Sequence, residues 1–172
     1  MKAIAFIFAF AVLAFTPAAF AAEKWGIDGE EKARFEAKVV DIACELSGNC
    51  PANCGGGKRQ LGLLRDDGSL LLVAKNFDIF AGAAVDLIGY CGRRIVADGL
   101  LIKSPKMPLF ALQFSRLAPD GKWGRANKFT KAWSKANGAK KGSQWFRNDV
   151  RIRDEIAANG VFGIPGLEPD KE

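Results

Sequence analysis

Alternation dominates the first half of the chain. In "ARFEAKVVDIACEL" (33–46), Phe35, Ala37 and Val39 fall at every second position, and Val and Ile are frequent, which predicts a half-buried strand. "RQLGLL" resumes as a strand after a cysteine-rich interruption. Asp66-Asp67-Gly68 then marks a turn between two apolar runs, so "SLLLVAK" is predicted to return as the second arm of a hairpin. In "DIFAGAAVDLIGYCG" the period changes. Phe80, Ala84, Leu87 and Ile88 recur at helical spacing, and Gly92 supplies a stop. "RRIVADGLLIKS" reverts to strand, with a bulge expected at Gly99. After Pro105 and Pro108, "LFALQFSRL" gives a fifth strand.

Three strands, a helix and two strands make a mainly β chain with α. The order is that of an OB-like barrel, five strands in a Greek key with a helix between the third and fourth strands. Residues 22–116 are assigned to this barrel, with 22–32 a loose lead-in. Residues 117–172 read differently. Phe129, Ala132, Trp133 and Ala136 repeat at i, i+3, i+4 and i+7 and predict one amphipathic helix. "SQWFRNDVRIRDEIAANG" predicts a second, with Ser143 as N-cap, Gly160 just past its end, and Trp145, Phe146, Val150, Ile152 and Ile156 on its buried side. Two such short helices gain little alone in water, so they are expected to pack on the barrel as a C-terminal two-helix extension.

The segments "KVVDIACEL", "LGLLRDDGSLLLV" and "RRIVADGLLI" resemble small exported bacterial OB-fold-like proteins over about residues 33–116. In those a Gly-x-Val-Asp-x-x-Cys strand precedes a cysteine-containing segment and a Gly-Leu-Leu hairpin. Cys44 and Cys54 stand where that pattern places cysteines. A histidine often found before the cysteine pair is absent here, and three residues separate Cys50 from Cys54. The resemblance implies a fold and no particular activity.

The N-terminus changes the picture of compartment. Lys2 precedes an unbroken apolar run from Ala3 to Phe15, Thr16 and Pro17 interrupt it, and Ala19-Phe20-Ala21 is a small-x-small cleavage pattern. Residues 1–21 therefore read as a signal peptide cut after Ala21, and the thirteen-residue apolar run is too short for a membrane span of about 20 residues. Export to the periplasm, or secretion, is expected.

An oxidising compartment bears directly on Cys44, Cys50, Cys54 and Cys91, whose even number suits two disulfides. Spacing does not choose among the three possible pairings; Cys44–Cys91 with Cys50–Cys54 is the one carried forward. The alternative is a thiolate site. Pro51 suits the first turn of a short helix on which Cys50 and Cys54 would share a face, and the four thiolates would suit zinc, or fewer of them Cu(I). The absence of histidine removes Ser-His and Cys-His catalysis and His-ligated metals. Cys-x-x-Cys redox spacing is also missing. "GVFGIPG" looks like the proline loop of disulfide oxidoreductases but lacks the strand that should follow. Gly55-Gly56-Gly57-Lys58 lacks the strand-to-helix setting of a phosphate loop. Asp66-Asp67 and Arg93-Arg94 are accounted for by a turn and a strand start. No catalytic residue and no cofactor is assigned.

Charge is unevenly placed. Residues 117–160 hold ten Lys/Arg and four Asp/Glu, whereas 22–116 hold thirteen and twelve. Lys128, Lys131, Lys135, Arg147, Arg151 and Arg153 are therefore the candidate partner-binding residues. Trp123, Trp133 and Trp145 are interleaved with them, which on an OB fold also suits single-stranded nucleic acid. Export argues against nucleic acid and for an anionic protein or membrane surface in the cell envelope. The reading is an exported, non-enzymatic binding or accessory protein.

Overall fold

The computed structural model describes residues 22–26, 28–75, 83–140, 142, 145–160, 162–164 and 166–167. Its strands are β1 (Glu30–Asp41), β2 (Leu61–Leu64), β3 (Leu70–Lys75), β4 (Arg94–Ile102), β5 (Leu109–Leu117) and β6 (Gly124–Arg125). β1 pairs antiparallel with β2 and with β4, β2 with β3, and β4 with β5. A parallel pairing of β3 with β5, Leu72 opposite Leu109 through Lys75 opposite Leu112, closes the ring. The result is a closed five-stranded mixed barrel, consistent with an OB-like barrel. β6 adds a short rung outside β5.

Alternation explains what fills the barrel. Ala37, Val39, Leu61, Leu63, Leu71, Val73, Ile95, Ala97, Phe110 and Leu112 all point into one core, with Phe35 edge-on to Phe110 at 4.8 Å between ring centroids. Full burial of each large aliphatic side chain stabilises by about 1.5–3 kcal/mol before entropy is counted. The β4–β5 register shifts between Asp98, opposite Phe114, and Gly99, opposite Leu112, so an irregularity lies at Gly99 but the extra residue is Gln113 on β5. A Cβ at Gly99 would run into the Ala111 carbonyl, so the two strands approach there as only glycine permits.

Several boundaries differ from the pattern reading. The first strand stops at Asp41, and residues 42–46 belong to helix α1 (Ile42–Ser47). Asp41 is extended, and its Oδ1 accepts the Ala43 and Cys44 amides, so a polar N-cap overrides the apolar run. The lead-in is tied to the barrel: Ala22 is buried, and residues 23, 25 and 26 are held by side chains of Gln113 and Glu30. Between β3 and β4 the described residues hold α2 (Ala84–Leu87) and a 3₁₀ turn, Ile88–Tyr90; the expected earlier part, with Phe80, lies outside the described residues.

After the barrel come α3 (Lys128–Ala136), α4 (Trp145–Asn148) and α5 (Val150–Asn159). The second expected helix is thus two. Asp149 leaves helical geometry, accepts the Arg151 amide and starts α5 as its N-cap. Val150 is therefore exposed rather than inward. Ser143 and residues 1–21, the leader, lie outside the described residues. No helix among the described residues is long and apolar enough to cross a membrane.

Candidate functional site: the disulfide loop and the basic helix

The loop between β1 and β2 carries three of the cysteines. Gly48 caps α1 in the left-handed region at φ 72° and turns the chain back, which brings Cys50 to Cys44 with Cα atoms 4.5 Å apart. Residues Ala52–Gly57 then form a tight turn in which Asn53, Cys54, Gly55 and Gly56 all have positive φ, from 49° to 70°. A left-handed conformation costs a non-glycine residue about 1–2 kcal/mol. Cys54, buried against the core, is held there by its disulfide to Cys91, which follows the 3₁₀ turn after α2. The pairing is thus Cys44–Cys50 and Cys54–Cys91, not Cys44–Cys91 with Cys50–Cys54. The correction is local in origin. The α1 cap reverses the chain within six residues, and only Cys54 faces the barrel.

Arg59 organises the same loop. It donates to the Asn49 carbonyl and to Asn49 Oδ1, and it sits 3.7 Å from the buried Asp41 Oδ2. Gly55 lies flat on its side chain; a Cβ there would come within 2.6 Å of Arg59 Cγ. With all four sulfurs in disulfides, this loop is a stapled structure and holds no thiolate in this form.

A second polar centre joins the barrel to the helices. Lys75 at the end of β3 and Asp86 of α2 are both buried, with Nζ 3.3 Å from Oδ2. Asp86 Oδ1 accepts the backbone amide of Lys128, the first residue of α3, and the Asp86 carbonyl accepts from Lys128 Nζ at 2.8 Å. The Lys128 ammonium also lies 5.2 Å from the centre of the Tyr90 ring. One carboxylate thus neutralises a buried lysine and receives a helix N-terminus, where negative charge complements the helix dipole.

The six candidate cations fall into different settings. Lys128 is engaged within the chain. Arg151 is clamped to Asp149, donating from Nε at 3.0 Å and from Nη2 at 2.8 Å. Arg153 is exposed beside Asp154 and Glu155 on α5. Arg147 is on α4, and its side chain lies outside the described residues. Lys131 and Lys135 are exposed, one helical turn apart, with no ion pair among the described residues. The inward face of α3 is Phe129, Thr130, Trp133 and Ser134. Ala132 and Ala136, expected to face inward, are exposed beside the lysines. The two aromatic rings set this rotation, since an alanine methyl has little to bury by comparison.

The tryptophans are spoken for. Trp133 Nε1 donates to Asp149 Oδ2, Trp145 packs edge-on against Phe129, and Trp123 receives Arg34 and Arg116 against its ring at 5.1 and 4.9 Å. Asp149 is consequently held well below the usual carboxylate range, first by the Arg151 hydrogen bonds and then by the Trp133 indole. Asp66 and Arg94 pair at 2.7 and 3.0 Å, and Arg94 also reaches Glu36 at 3.6 Å, tying the β2–β3 turn to β4 and β1. Arg94 holds the Asp66 carboxyl below its ordinary value.

Pattern reasoning missed the carboxylates that organise these sites, Asp41, Asp86 and Asp149, and also Asp98 of β4, which pairs with Arg34. A signal was present for one: Asp98 is a lone charge inside the apolar strand "RIVADGLLI", and a charge in such a run needs a partner. No protein-family model, curated protein or solved structure matches this chain.

Proposed function

We propose that this is an exported, non-enzymatic binding protein: a disulfide-stapled OB fold that presents the basic face of α3 to an anionic partner in the cell envelope. In this reading α2 with its 3₁₀ turn takes the place of the helix between strands three and four. The C-terminal helices are an extension packed on the barrel, and residues 1–21 are a cleaved signal peptide. Two disulfides are compatible with an oxidising, exported setting.

One observation carries the partner reading. Lys131 and Lys135 are like charges at i,i+4, a placement that weakens a helix by a few tenths of a kcal/mol. Lys131 also stands near the positive end of the helix dipole, in a helix with no acidic residue in its first turn. Asp86 offsets the dipole where it accepts the Lys128 amide, but neither Lys131 nor Lys135 forms an ion pair among the described residues. A face kept at a cost to its own helix is explained by what it binds. Ala132 and Ala136 beside the lysines leave that face low enough to lie against a surface.

The test is capture of envelope components by the purified protein and by a Lys131→Glu/Lys135→Glu variant, followed over a salt series. The reading requires binding that falls with salt and is lost in the variant. Equal capture by both proteins would end it. Metal analysis and thiol titration of the same native sample decide the alternative thiolate reading, which requires free thiols with stoichiometric metal.

A further inference from the structure

The segment before β1 is received by a built site. Ala22 is 1% exposed and packs with Leu100, Ala111 and Trp25. Its backbone nitrogen donates to Asp98 Oδ1 at 3.1 Å, inside the protein. Asp98 is itself 3% exposed, and its other oxygen accepts from Arg34 Nε at 2.6 Å, with Arg34 Nη2 closing the ion pair. Gln113, also 3% exposed, holds the next residue from both sides: its Oε1 accepts the Glu23 amide and its Nε2 donates to the Glu23 carbonyl at 2.6 Å. Farther along, Glu30 accepts the Trp25 and Gly26 amides.

A surface tail needs none of this. Two buried polar side chains aimed at the backbone of two consecutive residues form a receptor with a fixed register. That register begins at Ala22, the residue that follows the small-x-small pattern Ala19-Phe20-Ala21.

We propose that Asp98 is the binding site for the α-ammonium created when the chain is cut between Ala21 and Ala22, so that export processing completes the fold. The inference rests on the signal-peptide reading above. Hydrolysis breaks the Ala21 carbonyl–Ala22 nitrogen bond and consumes one water. The hydroxyl goes to the Ala21 carbonyl carbon, which leaves as a carboxylate, and the Ala22 nitrogen takes up protons to become an ammonium. A single neutral N–H facing Asp98 is thereby replaced by a cation with three donors. Hydrogen bonds between ionised partners are roughly twice as strong as neutral ones. Arg34 and the ammonium then flank Asp98 from its two oxygens. The Ala22 methyl is buried in an apolar cluster with Leu100, Ala111 and Trp25.

The experiment uses the full chain exported with its own leader. Intact mass and N-terminal sequencing of the purified protein come first. Thermal unfolding is then compared between the protein beginning at Ala22 and one carrying a single additional N-terminal alanine, each with Asp98 and with Asp98→Asn. The proposal requires a lower Tm for the extended protein, by about 2–4 °C for each kcal/mol lost, and a much smaller difference on the Asp98→Asn background. If Asp98→Asn does not fold, acylation of the α-amine in the wild-type protein replaces it. Labelling should be slowed about tenfold or more in the folded state, the factor that about 1.4 kcal/mol of protection gives. A start elsewhere than Ala22 would sink the cleavage reading and this inference together. A start at Ala22 with equal Tm values, an extension effect that survives Asp98→Asn, or unprotected labelling would sink the inference alone.

Discussion

The barrel and the C-terminal helices are held by different forces. The barrel buries a continuous apolar core, and its internal charges are matched: Arg34 with Asp98, and Lys75 with Asp86. Neither α3 nor α5 has a fully buried residue. The helices are fixed at polar points instead, Asp86 at the start of α3 and Asp149 between Trp133 and Arg151. The barrel therefore uses its side chains to hold itself together, whereas α3 keeps two exposed lysines with no ion pair among the described residues. Function is expected where side chains are left over.

The sharpest way to break this contrast is at Asp86, which belongs to both regions. Asp86→Ala leaves the Lys75 ammonium buried without its counter-charge and takes the cap from α3. Removal of one member of a buried pair costs about 3–5 kcal/mol. Denaturant unfolding should show that loss, and Lys75→Met added to Asp86→Leu should recover most of it. A small loss for Asp86→Ala would mean that the junction is solvated and that the two regions are less joined than their contacts indicate.

Next come the disulfides, which ought to differ from each other. Cys54–Cys91 spans 37 positions and ties the loop to the barrel, while Cys44–Cys50 spans six within that loop. Chain-entropy estimates give about 4 kcal/mol for the first and about 2 kcal/mol for the second. Cys54→Ser/Cys91→Ser should therefore lower the unfolding midpoint more than Cys44→Ser/Cys50→Ser. Equal losses would show that the left-handed turn at Asn53–Gly56 is held by Arg59 rather than by its sulfur.

A smaller effect concerns acid. The Asp149 carboxyl is depressed, so its contribution is present above the unfolded value of about 3.9 and lost only as pH falls through the lower folded value. The link between α3 and α5 should outlast ordinary carboxylates on acidification. The Trp133 indole N–H resonance should hold its position through the usual carboxylate range and move only below it. Movement near pH 4 would show that Arg151 is not clamped in solution.

These contrasts also explain what was legible in the sequence. The barrel strands and the β2–β3 hairpin were visible because alternation reports directly which face is buried, and Gly99 marked where β4 and β5 change register. The end of β1 was not, because "DIACEL" is apolar enough to continue a strand and only the Asp41 cap redirects it. Cysteine pairing was not legible either: it depends on where Gly48 reverses the chain, and spacing alone does not choose among the three pairings. The rotation of α3 was hidden by its alanines, which score as apolar yet have little surface to bury. Lys128 looked like its neighbours because nothing in "KFTKAWSK" reveals that Asp86, forty-two residues earlier, receives it.

The last prediction reverses the usual sign. Most substitutions at a residue that supports the fold lower stability. Lys131→Glu should raise it. The change replaces a like-charge i,i+4 pair with an oppositely charged one, and a glutamate placed N-terminal to Lys135 is the favourable order. It also places a negative charge near the positive end of the α3 dipole. Together these are worth about 0.5–1 kcal/mol, or roughly 1–3 °C in Tm for a chain of this size. The same substitution should weaken capture of the anionic partner. A protein that becomes more stable and binds less would show that the lysine is retained for binding at a cost to its own helix. A variant that loses stability would place Lys131 in the fold, and α3 would then be one more structural element like the strands it follows.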